Sequence, residues 1–203
     1  MTKQLITAVL CALLPLGALG AGDPAAGRTK AEACAFCHQL DGHSEQPAFP
    51  KLAGQFEAYL LQQALLFHSG ARKDDSMESV TLMINNPQDL ADIAAHYAAQ
   101  PPMHGTGASS ENTKEGKRHY ETYNCHLCHG TDGLGQPAKD GPNPRLAGQH
   151  RQYLIKAMRE FRANTRRSKN GYMMNMILPL LGDREIERIA DYLSELPARK
   201  SAE

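Results

Sequence analysis

The sequence predicts an all-α chain built from two copies of one small helical unit. Two ordered matches carry that reading. Pro50-Lys51-Leu52-Ala53-Gly54-Gln55 followed by Tyr59-Leu60 returns 94 residues later as Pro144-Arg145-Leu146-Ala147-Gly148-Gln149 followed by Tyr153-Leu154. Further on, Asp89-Leu90-Ala91-Asp92-Ile93-Ala94 before Pro101 returns as Glu185-Ile186-Glu187-Arg188-Ile189-Ala190 before Pro197. With the cysteine motifs described below, each half holds three matches in one order, which indicates a tandem duplication rather than a solenoid. Helical character is read from Leu154, Ala157, Met158 and Phe161, which recur at the spacing of one helix face.

The chain has 203 residues, enough for one or two domains. Lys3 is the one charge ahead of an apolar run from Leu5 to Leu19 that ends in small residues, the pattern of a secretory signal peptide. Residues 1–20 are therefore expected to be removed, and the protein to be exported to the periplasm. Cys11 sits inside the apolar run, in poor context for a lipoprotein cleavage. No later segment is long and apolar enough to span a bilayer. Residues 21–100 form the expected first domain, and residues 101–203 the linker and second domain. In each copy a first helix (about 24–37 and 113–128) precedes a Gly/Pro-rich loop. A second helix starts from the Leu-Ala-Gly-Gln segment, a methionine-bearing loop follows, and a last helix stops before Pro101 or Pro197. Residues 100–113, rich in Pro, Gly and Ser, read as the linker.

Four cysteines remain beyond the signal: Cys34, Cys37, Cys125 and Cys128. In an exported chain they would ordinarily suggest disulfides, but each pair lies in a Cys-x-x-Cys-His motif, Cys34-Ala35-Phe36-Cys37-His38 and Cys125-His126-Leu127-Cys128-His129. This is the c-type haem attachment pattern. Two thiols one helical turn apart can bond the two vinyl-derived carbons of the macrocycle, and the adjacent His38 or His129 is placed under the iron. Both motifs use every remaining cysteine. A zinc ribbon is disfavoured because the pairs lie 91 positions apart. A thioredoxin-like pair would need a βαβ context, and two small disulfides would not need the histidines. Units of about 80–90 residues have small cores, and a covalently held haem would supply the missing apolar surface.

A sixth ligand is expected for each iron, and a methionine there raises the potential. Met77 and Met83 follow the first motif; Met173, Met174 and Met176 follow the second. Spacing alone leaves these open.

With its tandem repeat, two attachment motifs and paired Pro-x-Leu-Ala-Gly-Gln segments, the chain resembles the dihaem cytochrome c4 family, tandem class I cytochrome c domains. The resemblance implies two covalently attached haem c groups. It implies a distal Met twelve positions ahead of the Ile or Leu of the last helix, which gives Met174 from Ile186. The same count from Leu90 reaches Glu78, so the first half departs from the pattern, and a one-residue insertion restores Met77 in preference to Met83. The proline carbonyls expected against the haem histidines are those of Pro50 and Pro144. The implied function is single-electron transfer, not catalysis, between respiratory redox proteins. Those partners are a terminal oxidase or a quinol-oxidising complex. The rival reading is the cytochrome subunit of a flavocytochrome c sulfide dehydrogenase or another dihaem oxidoreductase. A thiosulfate dehydrogenase would tend to use a Cys ligand, and none is spare.

The zero net charge hides an asymmetry: residues 22–100 hold 5 Lys+Arg against 10 Asp+Glu, and residues 101–203 hold 16 against 12. Lys156, Arg159, Arg162, Arg166, Arg167 and Lys169 make up most of the basic excess. They are expected on an exposed helix face, either simply solvated or steering the domain to an acidic partner or, by peripheral membrane association, to a membrane surface. Nucleic acid is not an expected partner. His43, His68, His96, His104, His119, His126 and His150 are read as mostly surface or loop residues and not as ligands.

Overall fold

The computed structural model describes residues 20–138, 141–168 and 171–197. The expected signal peptide lies outside them apart from Gly20, as does Lys169. Helices make up the regular structure among the described residues; extended pairing is confined to one isolated bridge between Gln136 and Asn143.

In the first half the order is α1 (Pro24–Lys30), α2 (Glu32–His38), α3 (Glu57–His68), α4 (Asp75–Leu82) and α5 (Pro87–Ala98). In the second it is α6 (Glu111–Thr122), α7 (His126–His129), α8 (Arg151–Arg162), α9 (Tyr172–Ile177), a 3₁₀ turn at Leu178–Leu180 and α10 (Asp183–Glu195). The starts have local causes. Asp23 accepts from the amides of Ala25 and Ala26 ahead of Pro24, and Asn86 accepts from Gln88 ahead of Pro87. Ser110 and Thr113 form a reciprocal capping box at α6.

The expected first helix of each half is in fact two. Ala31, fully buried, separates α1 from α2, with the Cys34 amide bonding back to Ala31 in a tightened turn. In the second half Asn124 adopts φ 56°, and the Cys125 amide reaches back to the Tyr120 carbonyl 3.0 Å away, so α6 stops and α7 starts anew. Asn tolerates that left-handed conformation better than most residues.

The first and last helices of each half cross closely, α1 on α5 and α6 on α10. The crossings are made at glycines. A β-carbon on Gly27 would lie 1.9 Å from the Asp92 carbonyl oxygen, and one on Gly116 would lie 1.8 Å from that of Arg188. Ion pairs flank both crossings with opposite polarity. Lys30 of α1 pairs with Asp89, at 2.6 Å, and with Asp92 of α5. Glu115 of α6 pairs with Arg184 and Arg188 of α10 at 2.9 and 3.1 Å. The second half buries a broad core of Tyr120, Leu154, Ile155, Met158, Leu178, Leu181, Ile186, Ile189, Ala190 and Leu193. In the first half the corresponding cluster is Ala31, Ile93 and Tyr97, with Leu40, Leu52, Leu60 and Ile84 only half-buried around it.

The halves dock about a pseudo-two-fold relation. Gln55 exchanges two hydrogen bonds with the backbone of Arg145, and Gln149, its equivalent, exchanges two with that of Lys51. Beside them Arg72 reaches the Tyr153 hydroxyl at 3.3 Å, while Arg166 reaches that of Tyr59 at 2.8 Å. Both guanidiniums also donate to Oε1 of the buried Gln63 side chain, and they stack over Phe67 and Phe161 respectively. Residues 101–110 carry no regular structure and pass over the seam. Pro102 lies against Gly54 and His104 against Gly148, with Met103 fully buried between them. A β-carbon on either glycine would meet backbone atoms of that segment at 2.5 and 2.3 Å, which accounts for the glycine in both Leu-Ala-Gly-Gln motifs.

The exposure expected of the basic residues holds at Lys156, Arg159 and Arg167 and fails at Arg162 and Arg166. Arg166 lies beyond the end of α8 and is 5% exposed, buried in the seam. Arg162 is half-buried and pairs with Asp183 at 2.8 Å. Lys156 pairs with Glu160 and Asp74, and Arg159 with Asp183 and Glu187. Arg167 remains exposed. The carboxylates of α8, α10 and the first half neutralise most of a field that a count of Lys and Arg overstates.

Candidate functional site

Each Cys-x-x-Cys-His motif ends a short helix, α2 or α7, that turns sharply after the histidine. Gln39 (φ 61°, ψ 158°) and Gly130 (φ 80°, ψ 155°) make that turn. A fully buried tyrosine pins each one. The Tyr97 hydroxyl of α5 donates to the Gln39 carbonyl at 3.1 Å, and the Tyr120 hydroxyl of α6 donates to that of Gly130 at 2.7 Å. Burial drives both phenols well above the ordinary tyrosine range, so they stay donors. The loop then returns: the Gly42 carbonyl accepts from Leu52 and Ala53, and the Gly133 carbonyl accepts from Leu146 and Ala147. That clamp brings the prolines back to the histidines.

His38 and His129 are 5% and 6% exposed. The Nδ1 of His38 lies 2.8 Å from the Pro50 carbonyl oxygen, and that of His129 lies 3.0 Å from that of Pro144. A carbonyl can only accept, so Nδ1 carries the proton and Nε2 the lone pair. Burial holds both imidazoles below their ordinary pKa, hence neutral. A neutral ring with one nitrogen donating to a carbonyl is the usual state of a metal-ligating histidine. Cys34, Cys37 and Cys125 are half-buried, Cys128 is exposed, and all four are unbridged. Burial raises the Cys34 thiol and pushes Cys125 up to about 11 in the absence of an attached group.

The methionines separate by burial. Met77, on α4, and Met174, on α9, are half-buried, and Met174 packs against the core of its half. Met83, Met173 and Met176 are 69%, 56% and 56% exposed. Asp74 caps α4 by accepting from the Met77 amide at 3.2 Å, which fixes the turn that carries it. The remaining histidines are more structural than expected. His96 is buried on α5 with Nε2 2.7 Å from the Leu40 carbonyl. His68 and His150 bond the carbonyls of Thr81 and Ser44. Among the described residues no three His, Cys, Asp or Glu side chains converge as a zinc site would require.

These residues fit a haem in each half: a pair of thiols one turn apart, a neutral imidazole with a free lone pair, and a half-buried thioether. Sequence reasoning passed over Arg72 and placed Arg166 on the surface, missing their shared place in the seam, although they stand 94 residues apart, the same offset as the Leu-Ala-Gly-Gln segments.

An all-α tandem with two such turns has the architecture of a c-type cytochrome, and the family model described as Cytochrome c matches residues 113–197. The cytochrome c4 of Azotobacter vinelandii is 37% identical over 97% of this chain and 100% of its own length. That of Pseudomonas aeruginosa is also 37% identical, with the same coverage of both chains. The crystal structure of reduced recombinant cytochrome c4 from Pseudomonas stutzeri superposes with a TM-score of 0.78 at 33% identity, covering 87% of this chain and 100% of that one. This chain belongs to the cytochrome c4 family, and is accordingly a dihaem electron carrier of the periplasm and not itself an enzyme. No helix among the described residues is long and apolar enough to cross a membrane.

Proposed function

We propose that the chain binds one haem c through Cys34 and Cys37 and a second through Cys125 and Cys128. His38 with Met77 and His129 with Met174 serve as the axial pairs, one in each of the domains 21–100 and 101–203. The bound iron supplies a one-electron ferrous/ferric couple. The chain's own residues fix the axial imidazole as the Nδ1–H tautomer, screen it from water and offer a thioether, a set that favours a high potential. The observation that carries the reading is the pair of buried histidines, each donating to a proline carbonyl directly after a Cys-x-x-Cys turn. The electrons pass between respiratory partners toward a terminal oxidase, received from a quinol-oxidising complex, with peripheral membrane association. Support for that direction is family likeness.

Mass spectrometry of the denatured mature protein tests the attachment: two added haem masses are expected, and a bare polypeptide mass overturns it. Met174→Ala should abolish the near-infrared Met-to-iron band of one haem and lower its potential. Met77→Ala should do the same to the other, and Met83→Ala should do neither. Loss of the band in Met83→Ala would transfer the ligand to Met83. Co-purification with a flavoprotein would favour the rival subunit reading.

A further inference from the structure

The hydrogen bonds across the seam continue into the two axial histidines. The Lys51 amide donates to Gln149 Oε1 at 2.9 Å, and that N–H belongs to the same peptide unit as the Pro50 carbonyl, which accepts from His38 at 2.8 Å. The second half mirrors this: the Arg145 amide donates to Gln55 Oε1 at 3.0 Å, and the adjoining Pro144 carbonyl accepts from His129 at 3.0 Å. Each glutamine is 5% exposed. Each also donates from Nε2 to the following carbonyl, Gln149 to Lys51 and Gln55 to Arg145, both at 2.9 Å. One residue thus offers the side-chain amide both an N–H and a carbonyl, so a single orientation satisfies both. The Oε1 atoms accept in addition from their own neighbours, His150 and Phe56.

A peptide unit is conjugated, so a bond accepted at its oxygen and a bond donated from its nitrogen polarise one another and strengthen together. We propose that Gln149 and Gln55 are positioning residues for the axial histidine of the opposite half. Gln149, in the second half, tunes the haem held by His38; Gln55, in the first half, tunes the haem held by His129. This rests on the reading that His38 and His129 are the axial ligands. Removing the Gln149 acceptor leaves the Pro50 carbonyl less polarised and the His38 ring less electron-donating. The ferric iron is then less stabilised and the potential rises. A glutamine that acted only as an interdomain clamp would move both haems, or the one in its own half.

The experiment is a redox titration of the full dihaem protein, followed haem by haem through hyperfine-shifted methyl signals. The parent must first show two low-spin haems with histidine ligation; failure there overturns the ligand reading and not the crossed relation. In Gln149→Leu the haem of His38 should shift upward while that of His129 holds. In Gln55→Leu the pattern should reverse. The His38 ring N–H signal should exchange faster with solvent in Gln149→Leu alone. Gln149→Glu keeps an acceptor oxygen for Lys51, so it should not raise the potential at His38, and it serves if the leucine variant fails to fold. An equal shift at both haems, a shift confined to the mutated half, or a rise in Gln149→Glu matching that in Gln149→Leu would overturn the proposal.

Discussion

Gln39 is the residue least suited to its backbone. Its φ of 61° with ψ of 158° lies in a region that only glycine enters freely, and the second half places Gly130 at the equivalent turn. Such strain costs about 1–3 kcal/mol and gathers at functional sites. Glycine would relieve it while adding about 0.5–1 kcal/mol of unfolded-state entropy. Gln39→Gly should therefore stabilise the protein by about 1 kcal/mol, seen as a higher denaturant midpoint with both potentials unchanged. A midpoint equal to or below the parent's would show the turn to be relaxed. The candidate attachment residues are legible because their chemistry is local: Cys-x-x-Cys-His works within five consecutive positions. The strain at Gln39 was not legible, because nothing in the sequence says that the chain must reverse there until the tyrosine of a distant helix is seen bonding its carbonyl.

At the scale of elements, the crossings at Gly27 and Gly116 bring backbone against backbone. An added methyl would meet carbonyl oxygens at under 2 Å, which no side-chain rotation can relieve. Gly27→Ala and Gly116→Ala should each destabilise their half by about 3 kcal/mol, the upper end of ordinary overpacking. Calorimetry of each variant would measure it, and a loss under 1 kcal/mol would mean that the helices separate at little cost. The paired last helices and the Leu-Ala-Gly-Gln helices were readable from repetition and apolar spacing. The split of each first helix was not, since Ala31 carries no breaker signal and Asn124 is a weak one. Among the apparent surface cations, Arg162 and Arg166 misled for a related reason. Counting them omits where the chain turns after α8, and that turn buries Arg166.

For the whole molecule the seam is electrostatic as well as apolar. Burial pushes the Tyr153 hydroxyl up, but Arg72 and Arg166 outweigh it and bring the group down to about 8, below the ordinary value near 10. The folded state thus favours the phenolate. That contribution is present above pH 10, shrinks between 10 and 8, and is lost as the pH falls through 8. Thermal stability should rise between pH 8 and 10 relative to Tyr153→Phe, and a tyrosine signal should titrate near pH 8. Parallel stability profiles for the two proteins would contradict the assignment. Arg166→Leu removes the cation shared by Tyr59 and Gln63, and should weaken docking enough for the halves to melt separately. The second-half charge excess gives less steering than its count implies, so association rates should depend only weakly on salt.

The segment that crosses the seam at Met103 gives a docking surface a permanent partner. Gln55 with Gln149, and Arg72 with Arg166, form the self-complementary contact set of a symmetric dimer whose two copies have been joined end to end. Two separate copies meeting through so few polar bonds would come apart on dilution. A short tether holds the second surface at an effective concentration on the order of millimolar, whatever the amount of protein present. Two redox centres on such a frame stay together at the lowest cellular abundance, so one encounter presents a partner with two one-electron stores rather than one.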